Sequence, residues 1–271
     1  MGDQLETEGD LFAPVVVSAA TWLSQLAGDG IRRLIDLGSG PGVATCIFAQ
    51  HFPDAQVVAV DSTPALLERA SVRAVRLGVA DRLTTLLGDL ETDLETLGQA
   101  DAVWASNVMH HVGDQAAGLV RLGRLVRPGG FVVLAEGRGS PIVEPDPFDG
   151  LIPGLRERFE AANKTWFAGM RTGLPNFVDA EPDWDSLLGQ AGLDVIGHRV
   201  VHLVMEAPVS EAARAMVRAG VSRMINQASA LSHDDQTALS SLLTGDASID
   251  NRGDISVTFT RALFVARRPC G

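Results

Sequence analysis

The sequence predicts an α/β protein built on a doubly wound, mostly parallel sheet. Three observations carry this. Short apolar runs alternate with helical stretches from residue 31 to residue 137. The runs lack a strict polar and apolar alternation, which suits strands covered on both faces. A glycine-rich turn, Gly38-Ser39-Gly40-Pro41-Gly42, joins the first run to the first helix after it. In open α/β sheets, ligands bind at such carboxyl ends of strands.

Each element has its own signal. Pro14 to Ala27 reads as an amphipathic helix. Ile31 to Leu37 is a buried strand, and Val43 to Phe52 a helix closed by Pro53. Val57 to Asp61 is a second strand. Ser62 or Thr63 caps the next helix, Pro64 fits its first turn and Gly78 ends it. Leu83 to Asp89 and Ala100 to Asn107 are further strands. Asp114 to Val126 is a helix, stopped by the turn Arg127-Pro128-Gly129-Gly130 before a strand from Phe131 to Gly137. The carboxyl ends of these strands place Asp36 to Gly42, Asp61, Asp89, Asn107 and Glu136 along one edge.

After residue 137 the rhythm changes. A loop rich in Pro, Gly and Asp leads to a helix from Leu151 to Trp166. Trp184 to Ala191 is helical and Asp194 to Met205 extended. Two helices, Ser210 to Ala230 and Asp234 to Leu243, precede a last strand, Ile255 to Arg268. The two late strands suit an antiparallel extension of the sheet. The organisation expected is a helical cap over 1–30, an α/β core over 31–140, a loop and lid helix over 141–181, and a return to the core over 182–271 with a lid at about 207–245.

Composition narrows the partners. The chain has 271 residues and a net charge of -12. Binding a polyanion needs clustered Lys and Arg, so nucleic acid is not expected, nor is an anionic membrane surface. Two distant cysteines, Cys46 and Cys270, make no disulfide framework and fit a reducing cytoplasm. The acidic N-terminus is unlike a signal peptide, and the apolar stretch from Leu11 to Gly28 is short for a bilayer. A monomer or homodimer is expected.

The glycine turn excludes some ligands. A P-loop needs Gly-Lys-Ser/Thr, and this loop has no lysine. The dinucleotide fingerprint needs glycine where Val43 stands, so a nicotinamide cofactor fits imperfectly. What is present is an acid followed by three alternating glycines, Asp36 to Gly42, then Asp61 ending the second strand, Gly88-Asp89 after the third, and Asn107-Val108-Met109-His110-His111-Val112 after the fourth. These stations, in this order, strongly resemble the class I S-adenosylmethionine-dependent methyltransferases of small molecules. That family implies a Rossmann-like, seven-stranded sheet with helical lid insertions and S-adenosyl-L-methionine as cofactor.

The resemblance covers about residues 31 to 137, and it implies roles. Gly38, Ser39, Gly40 and Gly42 let the backbone approach the methionine and ribose parts. Asp61, with Ser62 beside it, accepts from the ribose hydroxyls. Gly88 and Asp89 meet the adenine amino group, with Leu90 beside the ring. Asp36 orients the methionine end, and Asn107 lies near the donor methyl.

The pair His110-His111 resembles one found after the fourth strand in many small-molecule methyltransferases. A general base of near-neutral pKa suits removal of an acceptor's proton. His110 is the expected base, Glu136 its orienting partner, and His111 a neighbour that supports it or touches the acceptor. No metal is expected; the alternative is a metal-assisted C-methyltransferase on an α-keto acid, with Glu136 or His202 as further ligands. Another is an NAD-binding oxidoreductase of similar fold. The lid stretch with Trp166, Phe167, Met170 and Arg171, and that with Met216, Met224 and Asn226, suits an apolar small-molecule acceptor. The expected reaction is O-methylation in bacterial biosynthetic or secondary metabolism.

Overall fold

A computed structural model describes residues 2–89, 97–137, 139–180, 182–227, 230–246 and 248–270. The chain divides into two compact units. One comprises 1–137, 174–201 and 261–271, and the other 138–173 and 202–260.

The first unit is the α/β core. Its strands are β1 (Arg33–Leu37), β2 (Gln56–Asp61), β3 (Leu83–Leu87), β4 (Ala100–Ser106) and β5 (Val126–Gly137), joined in parallel in the order β3-β2-β1-β4-β5. β1 and β4, at the centre, are buried almost throughout, because helices cover both faces. Those helices are α1 (Gly2–Ala27), α2 (Val43–His51), α3 (Pro64–Arg76) and α4 (Gln115–Leu125). Asp114 caps α4 by accepting from Ala117 N–H at 2.9 Å. Pro64 opens α3, and Thr63 rather than Ser62 is its N-cap.

α1 is longer than expected. Pro14 lies inside it instead of starting it, and the acidic N-terminus forms its first turns. Tertiary contacts hold that half in place. Arg69 of α3 pairs with Asp3 and Glu6, and Arg73 with Asp10. Gly9 packs against α2 so closely that a Cβ there would lie 2.6 Å from Val43 Cγ2. By length and composition the stretch Gly2–Gly30 is long and apolar enough to cross a membrane. Here Val15, Val16, Ala19, Ala20, Trp22 and Leu23 of that helix are buried within the protein.

β5 also starts earlier than expected. The Pro-Gly stretch is a bulge between β4 and β5, with a register shift between Ala100 and Ala102, and not a chain reversal. Then come α5 (Leu155–Thr172), shifted from the expected 151–166, α6 (Trp184–Gln190) and β7 (Asp194–Met205). The last strand, β8 (Ser256–Arg267), runs antiparallel to β5, pairing Phe131 with Arg267 and Gly137 with Arg261. β7 pairs with β8, so both late strands extend the sheet.

The sheet has eight strands, not seven. The additional one is β6 (Ile142–Glu144), which pairs with residues 256–258 of β8 in the second unit. Three residues between Pro141 and Pro145 offer no periodicity, and only the partner strand makes them extended. The second unit also holds α5, α7 (Glu211–Gln227) and α8 (His233–Ser241). The Arg158 guanidinium forks onto Asp235, and Ser232 and Asp235 form a capping box at α8.

Candidate active site

A cleft of about 740 Å³ opens at the carboxyl ends of β1, β2 and β4, and every residue lining it belongs to the first unit. Asp36, Gly38, Ser39, Gly40, Asp61, Ser62, Gly88, Asp89, Asn107, His110 and His111 all line it. Eleven predicted positions, scattered over some seventy-five residues of chain, thus converge because the parallel strands end at one edge. Leu90 lies outside the described residues.

The glycines do different work. A Cβ on Gly38 would collide with Val108 Cγ2, and one on Gly42 would lie 2.5 Å from Ala70 Cβ of α3. At these two positions the absent Cβ makes room for neighbouring protein, although Gly38 also lines the cleft. Gly42 accordingly caps α2 and does not line the cleft. Gly40 is the opposite case. Its φ is +54°, and a Cβ would meet nothing within 4 Å. The backbone there is bare toward the cleft.

Asp61 secures this loop. Its Oδ2 accepts from Gly40 N–H at 2.9 Å and its Oδ1 from Thr63 N–H at 2.9 Å. The carboxylate ties the glycine turn to the start of α3, and each oxygen keeps a further lone pair. Gly88 N–H donates to Asp61 O at 3.1 Å, which brings the end of β3 to the same edge. Asp89 and Ser62 are exposed there.

Asp36 lies beneath the loop, 1% exposed, and Thr45 Oγ1 donates to its Oδ2 at 2.5 Å. Burial raises its pKa from 3.8 to about 7; the Thr45 bond opposes the rise and the Asp61 charge adds to it. Ser39 is buried, and its Oγ has no hydrogen-bond partner among the described residues. A buried hydroxyl without a partner is costly. Together with bare Gly40 and the spare acceptor capacity of Asp61, it fits a polar cofactor bearing hydroxyl, amino and carboxyl groups.

The other end of the cleft is built by the turn after β4. Asn107 adopts φ +52°, a left-handed conformation that asparagine tolerates better than most residues, with its N–H bonded to Ala135 O at 2.9 Å. A short 3₁₀ turn over Met109–His111 follows. Glu136, 6% exposed at the end of β5, accepts from Met109 N–H through Oε1 at 3.2 Å. Its Oε2 stands 3.6 Å from His110 Nδ1. The imidazoles of His110 and His111 lie 4.0 Å apart. Burial, then the neighbouring His110, lowers the His111 pKa, and Glu136 works against both.

Several cleft residues carried no clear signal in the sequence. Thr45, which does not line the cleft but bonds Asp36 beneath it, is a lone hydroxyl on an apolar helix. Leu5, Glu8, Gly9 and Phe12 come from the unexpected half of α1. Arg261 also lines the cleft, its guanidinium 4.0 Å over the Phe12 ring. A single charge inside the apolar run Phe259 to Ala266 was the available clue. His202 lies in the second unit, 3.2 Å from Thr260 Oγ1. Trp166, Phe167, Met170, Arg171, Met216, Met224 and Asn226 belong to that unit as well. Among the described residues, no group of three or more His, Cys, Asp or Glu side chains is placed to hold a metal ion.

A parallel sheet with a glycine loop after β1, an acid after β2 and an antiparallel last strand defines a Rossmann-like nucleotide-cofactor domain. Residues 35–132 match the family model of a methyltransferase domain. The α/β core is thus similar to the methyltransferase domains of the S-adenosylmethionine-dependent enzymes. The chain is 38% identical over 127 residues to trans-aconitate 2-methyltransferase of Methylobacterium radiotolerans, covering 47% of this chain and 45% of that protein. It is 34% identical over 173 residues to the reducing polyketide synthase Preu2 of Preussia isomera, covering 60% of this chain and 7% of the synthase. The chain therefore spans less than half the length of these two relatives. Among solved structures, an O-methyltransferase family protein from Burkholderia thailandensis shares the fold, with a TM-score of 0.53 and 16% identity over 97% of this chain and 59% of that one.

Proposed function

We propose that this chain transfers a methyl group from S-adenosylmethionine to a hydroxyl of a small molecule, in the cytoplasm and within biosynthetic or secondary metabolism. The observation that carries this reading is one cleft lined by both the bare glycine loop and His110, with the buried Glu136 carboxylate beside that histidine. The sulfonium of the cofactor supplies an already activated methyl group. Asp61 and Ser62 hold the ribose side, Asp89 the adenine side, and Asp36, Ser39 and Asn107 the methionine side. Gly38 and Gly42 keep the loop in shape, and Gly88 delivers Asp89 to the edge.

What remains for the protein is to aim the acceptor and take its proton. Positioning supplies several kcal/mol of such a barrier. His110 lines the cleft with its Nδ1 toward Glu136, and its imidazole takes the acceptor's proton. Glu136 orients the ring and stabilises the imidazolium that forms. His111, whose pKa burial lowers, supports His110 or touches the acceptor. Acceptance of a proton by a positioned histidine contributes about 100- to 10,000-fold.

Calorimetric titration with S-adenosylhomocysteine and with NAD tests the cofactor half. Binding of NAD alone would overturn the reading in favour of an oxidoreductase. Transfer of labelled methyl to a panel of phenols, enols and aliphatic alcohols tests the other half. His110→Ala should lower turnover at pH 7 by about 100-fold or more with cofactor affinity retained, and the loss should shrink at high pH where phenols ionise unaided. Glu136→Gln should give a smaller loss. Loss of activity with a chelator, restored by a divalent ion, would replace the base mechanism with a metal-assisted one.

A further inference from the structure

We infer that Arg261 selects the acceptor: its guanidinium receives a carboxylate carried by the small molecule whose hydroxyl is methylated, so that the substrate class is a hydroxy acid. This rests on the proposed function and deepens it.

Charge is spread unevenly over the cleft. Glu8, Asp36, Asp61 and Asp89 line it, and Arg261 is the one Lys or Arg among the described residues that do. An entering carboxylate meets carboxyl groups along most of the wall and a cation at one point. The guanidinium therefore fixes which end of the molecule goes where, by attraction there and repulsion elsewhere. Strand order says what that point serves. β3, β2, β1 and β4 end in the groups proposed for adenine, ribose and methionine, and β5 and β8 come next in the sheet beyond β4. Neighbouring strands stand about 4.8 Å apart, so β8 lies roughly 10 Å past β4, on the side left for the acceptor. The head of Arg261 reaches back from there. Arg261 pairs with Gly137 in the β5–β8 register. A Cβ on Gly137 would lie 3.1 Å from Arg261 Nη1 and 3.9 Å from Asn107 Oδ1. The missing side chain thus keeps open the space between the guanidinium and a residue proposed to hold the methionine side. The Phe12 ring stacks on the guanidinium, 4.0 Å from its central carbon. Stacking sets the plane of a fork whose N–H edge matches a carboxylate. Arg261 is half-buried, and burial lowers its pKa. Drawn from bulk water in this way, a cation attracts a carboxylate more strongly. Leu5, Phe12 and Val16 give the same cleft an apolar wall for the carbon frame between hydroxyl and carboxylate.

The experiment is calorimetric titration of the full chain, with S-adenosylhomocysteine bound, for wild type, Arg261→Met and Arg261→Lys. The probes are 4-hydroxybenzoate, 4-hydroxyphenylacetate and 3-hydroxybutyrate, each against its methyl ester. The wild type should bind at least one acid about tenfold or more tightly than its ester. Arg261→Met should erase that preference and leave the ester's affinity unchanged, and Arg261→Lys should restore part of it. Equal affinity for acid and ester throughout the wild-type series, or binding of no acid, would overturn the inference without any variant having to fold. So would a preference that survives in Arg261→Met. The cofactor is the other source of a carboxylate. If Arg261→Met weakens S-adenosylhomocysteine but not 5′-methylthioadenosine, which lacks the amino-acid portion, Arg261 serves the cofactor and the inference falls. Failure of the wild type to bind S-adenosylhomocysteine would sink the proposed function instead, and the acid and ester titrations of the protein alone would still decide the role of Arg261.

Discussion

Asp36→Asn isolates the cost of one buried charge. In the native protein the Asp36 pKa is raised from 3.8 to about 7, chiefly by burial. The native state therefore holds this proton more tightly than the unfolded chain does. The stabilisation is fully present below pH 3.8 and is lost as pH rises to about 7. Moving a carboxyl over that span corresponds to about 4 kcal/mol, of which about 3 kcal/mol falls between pH 5 and 8. Asparagine has nearly the same shape, accepts the Thr45 hydroxyl through its amide oxygen, and does not titrate. The variant should thus gain on the wild type by up to about 3 kcal/mol between pH 5 and pH 8. Urea unfolding midpoints across that range measure it, and the difference between the two proteins cancels the histidines they share. Parallel stability curves would refute the reasoning. The same substitution should weaken S-adenosylmethionine binding above pH 7, where the wild-type carboxyl is ionised.

Asp61→Ala should lower cofactor affinity by about ten- to hundredfold, measured by calorimetry, and should also lower stability by about 1–3 kcal/mol because Gly40 and Thr63 lose their shared acceptor. Gly40→Ala and Gly42→Ala should separate along different axes. The Gly42 variant meets Ala70 and should cost about 1–3 kcal/mol in thermal unfolding, whereas the Gly40 variant should mainly reduce cofactor affinity. Hydrogen exchange over 207–245 should slow when S-adenosylhomocysteine binds if these helices act as a lid; equal rates with and without it would rule that role out.

The α/β core and most of the cleft were legible in the sequence because their signals are local. An apolar run ending in an acid, a glycine turn and a capped helix recur within a few residues of one another, and parallel topology then brings every strand end to one edge. Asp36, Asp61, Asp89, Asn107, His110 and Glu136 could therefore be placed together without a structure. Tertiary structure alone decided the rest. Pro14 marks a helix start by local rules, yet Arg69, Arg73 and Val43 carry the helix back to Gly2. Ile142 to Glu144 are a strand only because β8 pairs with them. Three glycines that look equivalent in sequence differ in what lies beyond each absent Cβ: Val108, open cleft, and Ala70. Arg261 enters the site through antiparallel pairing of residues more than a hundred positions apart. Packing against distant chain leaves no periodic trace in the sequence, so these features emerge only once the strands are paired.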